Sequence, residues 1–157
     1  MEIQVRPAVA DDWPIIAEFN CRLAEESEAK KLDRETVDAG VRALLADGRK
    51  GRYLLAVIDG RVVGQLMHTF EWSDWRNGDI WWLQSVYVET EFRRHGVFRT
   101  LYEHLRHEAE ANPGVVGLRL YVEDQNTRAH ETYFRLGMQR GGYFVLEQMF
   151  RRQPGKL

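Results

Sequence analysis

The stretch YVETEFRRHGVFRTLYEHL, residues 87 to 105, decides how this chain is read. It opens with the alternation of a strand end and closes with Leu101, Tyr102 and Leu105 at helical spacing. Arg93, Arg94, His95 and Gly96 lie at the changeover. A helix N-terminus has unsatisfied backbone N–H groups and a partial positive charge, and glycine lets a ligand approach the main chain. Arginine adds a charged fork suited to phosphate oxygens. The loop therefore reads as a cradle for a pyrophosphate at the start of a helix. It is not a Walker A loop, because no Gly-Lys-Ser/Thr follows, and it lacks the GxGxxG dinucleotide fingerprint.

Working outward, the elements fall into a simple order. Ile3, Val5 and Pro7 predict a short first strand. A helix follows from Asp11 or Asp12, with Pro14 in its first turn and Ile15, Ile16, Phe19 and Leu23 inward. Asp33 caps a second helix that Gly48 ends. Residues 53–58 and 61–70 make two strands about Asp59-Gly60, a strong hairpin signal. EWSDWRNG breaks regularity, and residues 79–88 form a fourth strand. The helix from Gly96 runs to Ala111, and a fifth strand covers 115–122. Asn126 caps a short helix through Leu136, and residues 138–150 read as a last strand interrupted by Gly141 and Gly142. The order is βααβββαβαβ. A strand–helix–strand unit makes strands four and five parallel, so the expectation is a mixed α/β sheet with helices on both faces. One domain spans residues 1–157.

Composition narrows the functions. The 22 basic and 24 acidic residues leave a net charge of -2, unlike the basic surface of a general nucleic-acid binder. No apolar run is long enough for a membrane span, and MEIQVRPA is not a signal peptide. The single Cys21 makes no intramolecular disulfide, which fits a cytoplasmic protein, and its helical setting reads as a packed thiol. No metal site is expected.

The loop Arg93–Phe98, followed after the fifth strand by Asn126, Ala129, Tyr133, Gly137 and Met138, resembles the GNAT superfamily of acetyl-CoA-dependent N-acetyltransferases. The resemblance covers nearly the whole chain and extends to the element order. It implies the GNAT fold, with strands four and five splayed apart. It implies that Arg93, Arg94, His95, Gly96, Val97, Phe98 and Arg99 hold the coenzyme A pyrophosphate, mainly by main-chain N–H groups. Pantetheine would pair with the main chain of Val86 and Val88, with Val86 or Tyr87 facing the thioester carbonyl. Asn126 would contact the pantetheine arm, and Tyr133 would stand near the sulfur and protonate the departing thiolate. One departure stands out: Phe98 occupies a place where the family usually has glycine or alanine.

Residues 64–88 also resemble the spermidine/spermine N-acetyltransferase branch, which carries a glutamate where this chain has Gln84. Gln84 is no base, but it could orient water or bind the amine. The acceptor candidates are Glu26, Glu28, His68, Glu71 and Trp72; a lone strand histidine is more often structural. Trp72, Trp75, Trp81 and Trp82, with Glu71 and Asp74, would form either an aromatic acidic pocket for a cation or ordinary core and dimer contacts. The expected reaction is direct acetyl transfer to a primary amine of a small molecule. Three rivals stay open: a peptide or protein amine as acceptor, a non-catalytic acyl-CoA sensor, and an unrelated phosphate-binding domain. Exposed strand edges would suit a homodimer.

Overall fold

The computed structural model describes residues 1–151. Five strands form one sheet in the order β1-β2-β3-β4-β5: β1 Gln4–Pro7, β2 Arg52–Ile58, β3 Arg61–Ser73, β4 Gly78–Val88 and β5 Val115–Leu120. The first four are antiparallel neighbours and β4 pairs with β5 in parallel, as the crossover through α3 (Val97–Ala111) demands. α1 (Trp13–Glu28) and α2 (Arg34–Ala46) cover one face, α3 covers the other, and α4 (Thr127–Arg135) follows β5.

Local chemistry accounts for most boundaries. The Asp33 carboxylate accepts from the Thr36 N–H at 3.0 Å and starts α2. Asp59 and Gly60 both hold positive φ, 49° and 78°, the left-handed pair that lets β2 turn into β3 in two residues. Ile16, Ala17 and Phe19 of α1 are fully buried. Val41 and Leu44 of α2 join Tyr53 and Leu55 in the core on that face. Leu101 and Leu105 of α3 pack on Leu54, Leu66 and Leu83 across the sheet.

Two expectations are corrected. β3 continues through Glu71, Trp72 and Ser73, which pair with Ile80, Asp79 and Gly78, so only Asp74–Asn77 form the loop. Cross-strand pairing there overrides the turn-rich composition. The last strand over 138–150 is not formed: after α4 no residue up to 151 joins the sheet. Gly142, at φ 81°, interrupts the segment, and its apolar side chains stay in solvent.

Candidate active site

The site begins as a fault in β4. Gln65 of β3 pairs with Tyr87 and Met67 pairs with Gln84, so one extra residue is accommodated between them on β4. Ser85 takes that slack at φ 50°, an uncommon conformation for a residue with a side chain. A buried polar network holds it: the Gln65 amide donates to the Ser85 carbonyl at 3.0 Å and to Asn20 Oδ1 at 2.8 Å, and Asn20 donates to the Tyr53 hydroxyl at 3.0 Å. Burial raises the Tyr53 pKa, so its hydroxyl stays protonated.

Past this bulge β4 loses its neighbour. Pairing with β5 ends at Leu83↔Leu120, while β4 runs on to Val88. The far edge of Gln84–Val88 is thus free to receive an extended ligand by main-chain hydrogen bonds. The parting of strands four and five expected from the sequence is present.

The tip of α3 closes the other end. Gly96, at φ 83°, is the N-cap and has no side-chain cap bond; the first intrahelical amide, Thr100 N–H, donates to Gly96 at 2.9 Å. The earlier amides of the first turn have no partner of that kind and point out of the helix. Arg94 also sits at positive φ, 66°, so the loop backbone curls before the helix. Gly64 lets the tip approach the sheet: a Cβ there would stand 3.0 Å from Val97 Cγ1 and 3.1 Å from the Tyr87 carbonyl oxygen.

Phe98 does not obstruct this tip. Its ring packs into the α3 core, 6.0 Å from Tyr102 and edge-on to Tyr133 at 5.7 Å and 87°. Phe98 therefore braces Tyr133 against the start of α3. Burial raises the Tyr133 pKa, which keeps the phenol protonated at neutral pH. Asn126 caps α4, accepting the Ala129 N–H at 3.1 Å, and fixes the helix that carries Tyr133.

The basic residues divide. Arg94, His95 and Arg99 are exposed around the tip. Arg93 is turned back: Nε donates to the Val88 carbonyl at 2.8 Å and the guanidinium reaches Glu26 at 3.0 Å. It also lies 5.4 Å from the Tyr87 ring centre. Arg93 thus ties the loop to β4 and α1.

The acceptor candidates do not come together. Glu26 is engaged by Arg93. Glu71 meets Arg119 at 2.6 Å, and Trp72 is exposed on the β3–β4 hairpin. His68 is fully buried, stacked on Trp81 at 4.3 Å, with neither ring nitrogen hydrogen-bonded. Burial first, and then the Arg52 charge, pushes its pKa down to about 4. Trp81 packs with the α3 core, whereas Trp82, its neighbour along the pleated strand, packs on Tyr121. Consecutive strand residues face opposite ways, so the tryptophans build no common pocket. The Gln84 amide donates to Thr69 Oγ1 at 2.7 Å. Glu28 lines a cavity of about 370 Å³ between α1, α2 and the sheet, with Asn20, Leu23, Val37, Tyr53 and Ser85. Ser85, Gln65, Asn20 and Tyr53 were not singled out by sequence. The signal available was two amides, Asn20 and Gln65, each on the inward face of an otherwise apolar element.

A family model described as the acetyltransferase (GNAT) family matches residues 13–138. The chain belongs to the GNAT acetyltransferase family. A possible acetyltransferase from Clostridium difficile 630 is 43% identical, with a TM-score of 0.90, over 97% of this chain and all of that one. The bovine (Bos taurus) thialysine N-epsilon-acetyltransferase is 35% identical over 78 residues, half of this chain and 45% of that protein. The chain thus matches less than half the length of this curated relative. A predicted acetyltransferase from Clostridium acetobutylicum, solved with acetyl-CoA, shares the fold at 16% identity, with a TM-score of 0.75 over 94% of this chain and 96% of that one. The GNAT fold agrees with the parted strands and the open α3 tip. The residues present suit a thioester of a nucleotide: unpaired amides and exposed basic groups at the tip for phosphate, a free strand edge for an extended amide chain, and a protonated phenol packed against Phe98 at the start of α3.

Proposed function

We propose that this protein is an N-acetyltransferase that moves an acetyl group from acetyl-CoA to a primary amine of a small molecule by direct transfer. The observation that carries the reading is the free edge of β4 beyond Leu83, running toward the uncapped tip of α3. Main-chain amides of Val97, Phe98 and Arg99, with the Arg94 and Arg99 side chains, would hold the diphosphate. Val86 and Val88 would pair with the pantetheine arm, and Asn126 has its amide N–H₂ left to meet it once Oδ1 has capped α4. When bound, acetyl-CoA supplies the acyl group and a thiolate leaving group.

An amine with a lysine-like pKa near 10.4 must lose a proton before it attacks, which costs roughly 4.6 kcal/mol at pH 7. The cavity beside Ser85 would seat the acceptor. Its one carboxylate, Glu28, would attract the ammonium and take its proton, directly or through water. Gln84 contributes no charge and orients Thr69 at the same sheet face. Tyr133 would give its proton to the leaving thiolate, a task its raised pKa permits because the phenol is never ionised beforehand. No side chain needs to carry the acyl group, so the reaction needs no covalent enzyme intermediate.

The test is release of free thiol from acetyl-CoA across a panel of amines, including thialysine, lysine, polyamines and a lysine-containing peptide. Turnover on small amines above the peptide is the expected result. Preference for the peptide would move the acceptor to the protein class. Tight binding of acetyl-CoA without turnover on any amine would make the protein a sensor and overturn the proposal.

A further inference from the structure

The free edge of β4 ends on an arginine. The Glu89 N–H donates to the Val63 carbonyl at 2.9 Å, and the next pair inward is Gly64 with Val88. Bonded and non-bonded pairs alternate in an antiparallel ladder, so the N–H and carbonyl of Val88 point away from β3. They face the side that β5 leaves after Leu120. The Arg93 Nε donates to that carbonyl at 2.8 Å. The last outward acceptor of the edge is thus engaged from within the chain.

The guanidinium is held from a second side. Its Nη2 lies 3.0 and 3.2 Å from the two Glu26 oxygens, and its Cζ is 5.4 Å from the centre of the Tyr87 ring. Tyr87 is itself buried, with its ring 5.0 Å from that of Phe19 on α1. The neighbouring cations are committed elsewhere: Arg22 to Glu18 at 3.0 Å, and Arg61 to Glu89 at 2.6 Å and Glu91 at 2.7 Å. Among the described residues Glu26 has Arg93 as its ion-pair partner and no other. An exposed ion pair alone is worth little. Here the carboxylate aims a planar fork that also bonds a backbone oxygen and stands over an aromatic ring, an arrangement lysine does not reproduce. Arg94 and Arg99, by contrast, are exposed around the α3 tip.

We propose that Arg93 is a positioning residue for the acyl donor, aimed by Glu26: it stops the strand edge at Val88 and so sets how far an extended pantetheine chain runs along β4. The assignment rests on the reading that coenzyme A binds at this edge. With the Val88 carbonyl engaged, its N–H is left for the ligand, and the chain takes one register instead of sliding by a strand step. The thioester is thereby delivered to one place against Val86. Arg93 touches no reacting atom. Its charge is already matched by Glu26, so it adds little to diphosphate affinity.

Calorimetry and steady-state kinetics on the full chain test this with Arg93→Met, Arg93→Lys and Glu26→Gln. Arg93→Met should leave the Kd for coenzyme A within about twofold of the wild type and lower kcat by about tenfold. Its affinity should fall with added salt as steeply as that of the wild type, whereas Arg94→Met should flatten the dependence. Loss of a fixed register should also change the ratio of rates with acetyl-CoA and propionyl-CoA, which a tie serving the fold alone would not move. Arg93→Lys should not restore kcat. The double variant Glu26→Gln, Arg93→Met should lose no more kcat than Arg93→Met, because the two residues act as one unit. Weakened coenzyme A binding with a shallower salt dependence in Arg93→Met would make the residue a phosphate ligand and overturn the assignment. Rescue by lysine, or an unchanged kcat and acyl ratio, would overturn it too. A wild type that binds no coenzyme A would overturn the reading of the site itself, and this assignment with it.

Discussion

Replacing His68 by phenylalanine isolates the cost of a buried imidazole beneath the β3–β4 pair. His68 is fully enclosed, stacked on Trp81 and edge-on to Phe70 at 5.2 Å, and both its nitrogens lack partners. Its folded pKa is about 4, against an ordinary 6.5. Between those values the unfolded chain binds a proton that the folded chain refuses, so stability falls as pH drops from about 6.5 toward 4. The gap, at 1.36 kcal/mol per pH unit, comes to roughly 3 kcal/mol once pH 4 is reached. Phenylalanine keeps an aromatic ring against Trp81 and removes the two nitrogens, which should gain about 1–3 kcal/mol even at pH 7.5. Urea unfolding of both proteins from pH 7.5 to pH 4 is the assay. The stability advantage of His68→Phe should widen by about 3 kcal/mol as pH falls. Asp12, Glu18 and Glu103, whose folded pKa values are lowered mainly by bonds to arginines, lose their own contribution toward acid pH. They do so equally in both proteins, so the difference curve belongs to position 68. A difference that is flat with pH, or that shrinks, would refute the burial of a neutral, unpaired imidazole.

Three further outcomes follow from the site. Gln65→Leu removes the bond to the Ser85 carbonyl and leaves Asn20 half-satisfied; it should cost about 1–3 kcal/mol in urea unfolding and lower acetyl transfer by relaxing the bulge. Gly64→Val sets branched carbons where even a bare Cβ would stand 3.0 Å from Val97 Cγ1, so calorimetry should find coenzyme A binding weakened by about tenfold or more, with the fold retained. Tyr133→Phe should lower kcat by roughly 10²–10⁴ with the KM for acetyl-CoA changed only a few-fold, since the ring and its edge contact with Phe98 survive.

What the sequence made legible was whatever local chemistry governs. Asp59-Gly60 can hold two left-handed residues and therefore turns. Asp33 and Asn126 offer side-chain acceptors at helix starts. Gly96 before an amphipathic run announces the α3 tip, and with Asn126 and Tyr133 it carries the family resemblance. What stayed hidden depends on partners distant in sequence. Ser85 is neither glycine nor asparagine, and its positive φ is held by Gln65, which is 20 residues away. The Arg93 guanidinium turns from the ligand side because Glu26 waits on α1, 67 residues earlier. Trp72 and Ser73 looked like loop and are strand, because Gly78 and Asp79 return beside them. The arm 138–150 has the composition of a strand but, within one chain, no neighbour to pair with.

The most direct measurement is a crystal structure with coenzyme A. The account predicts the diphosphate against the main-chain amides of Val97, Phe98 and Arg99, and pantetheine along the free edge of Gln84–Val88 with its sulfur near Tyr133. A ligand bound away from the α3 tip, or β5 paired with β4 through Val88 so that no gap remains, would contradict it.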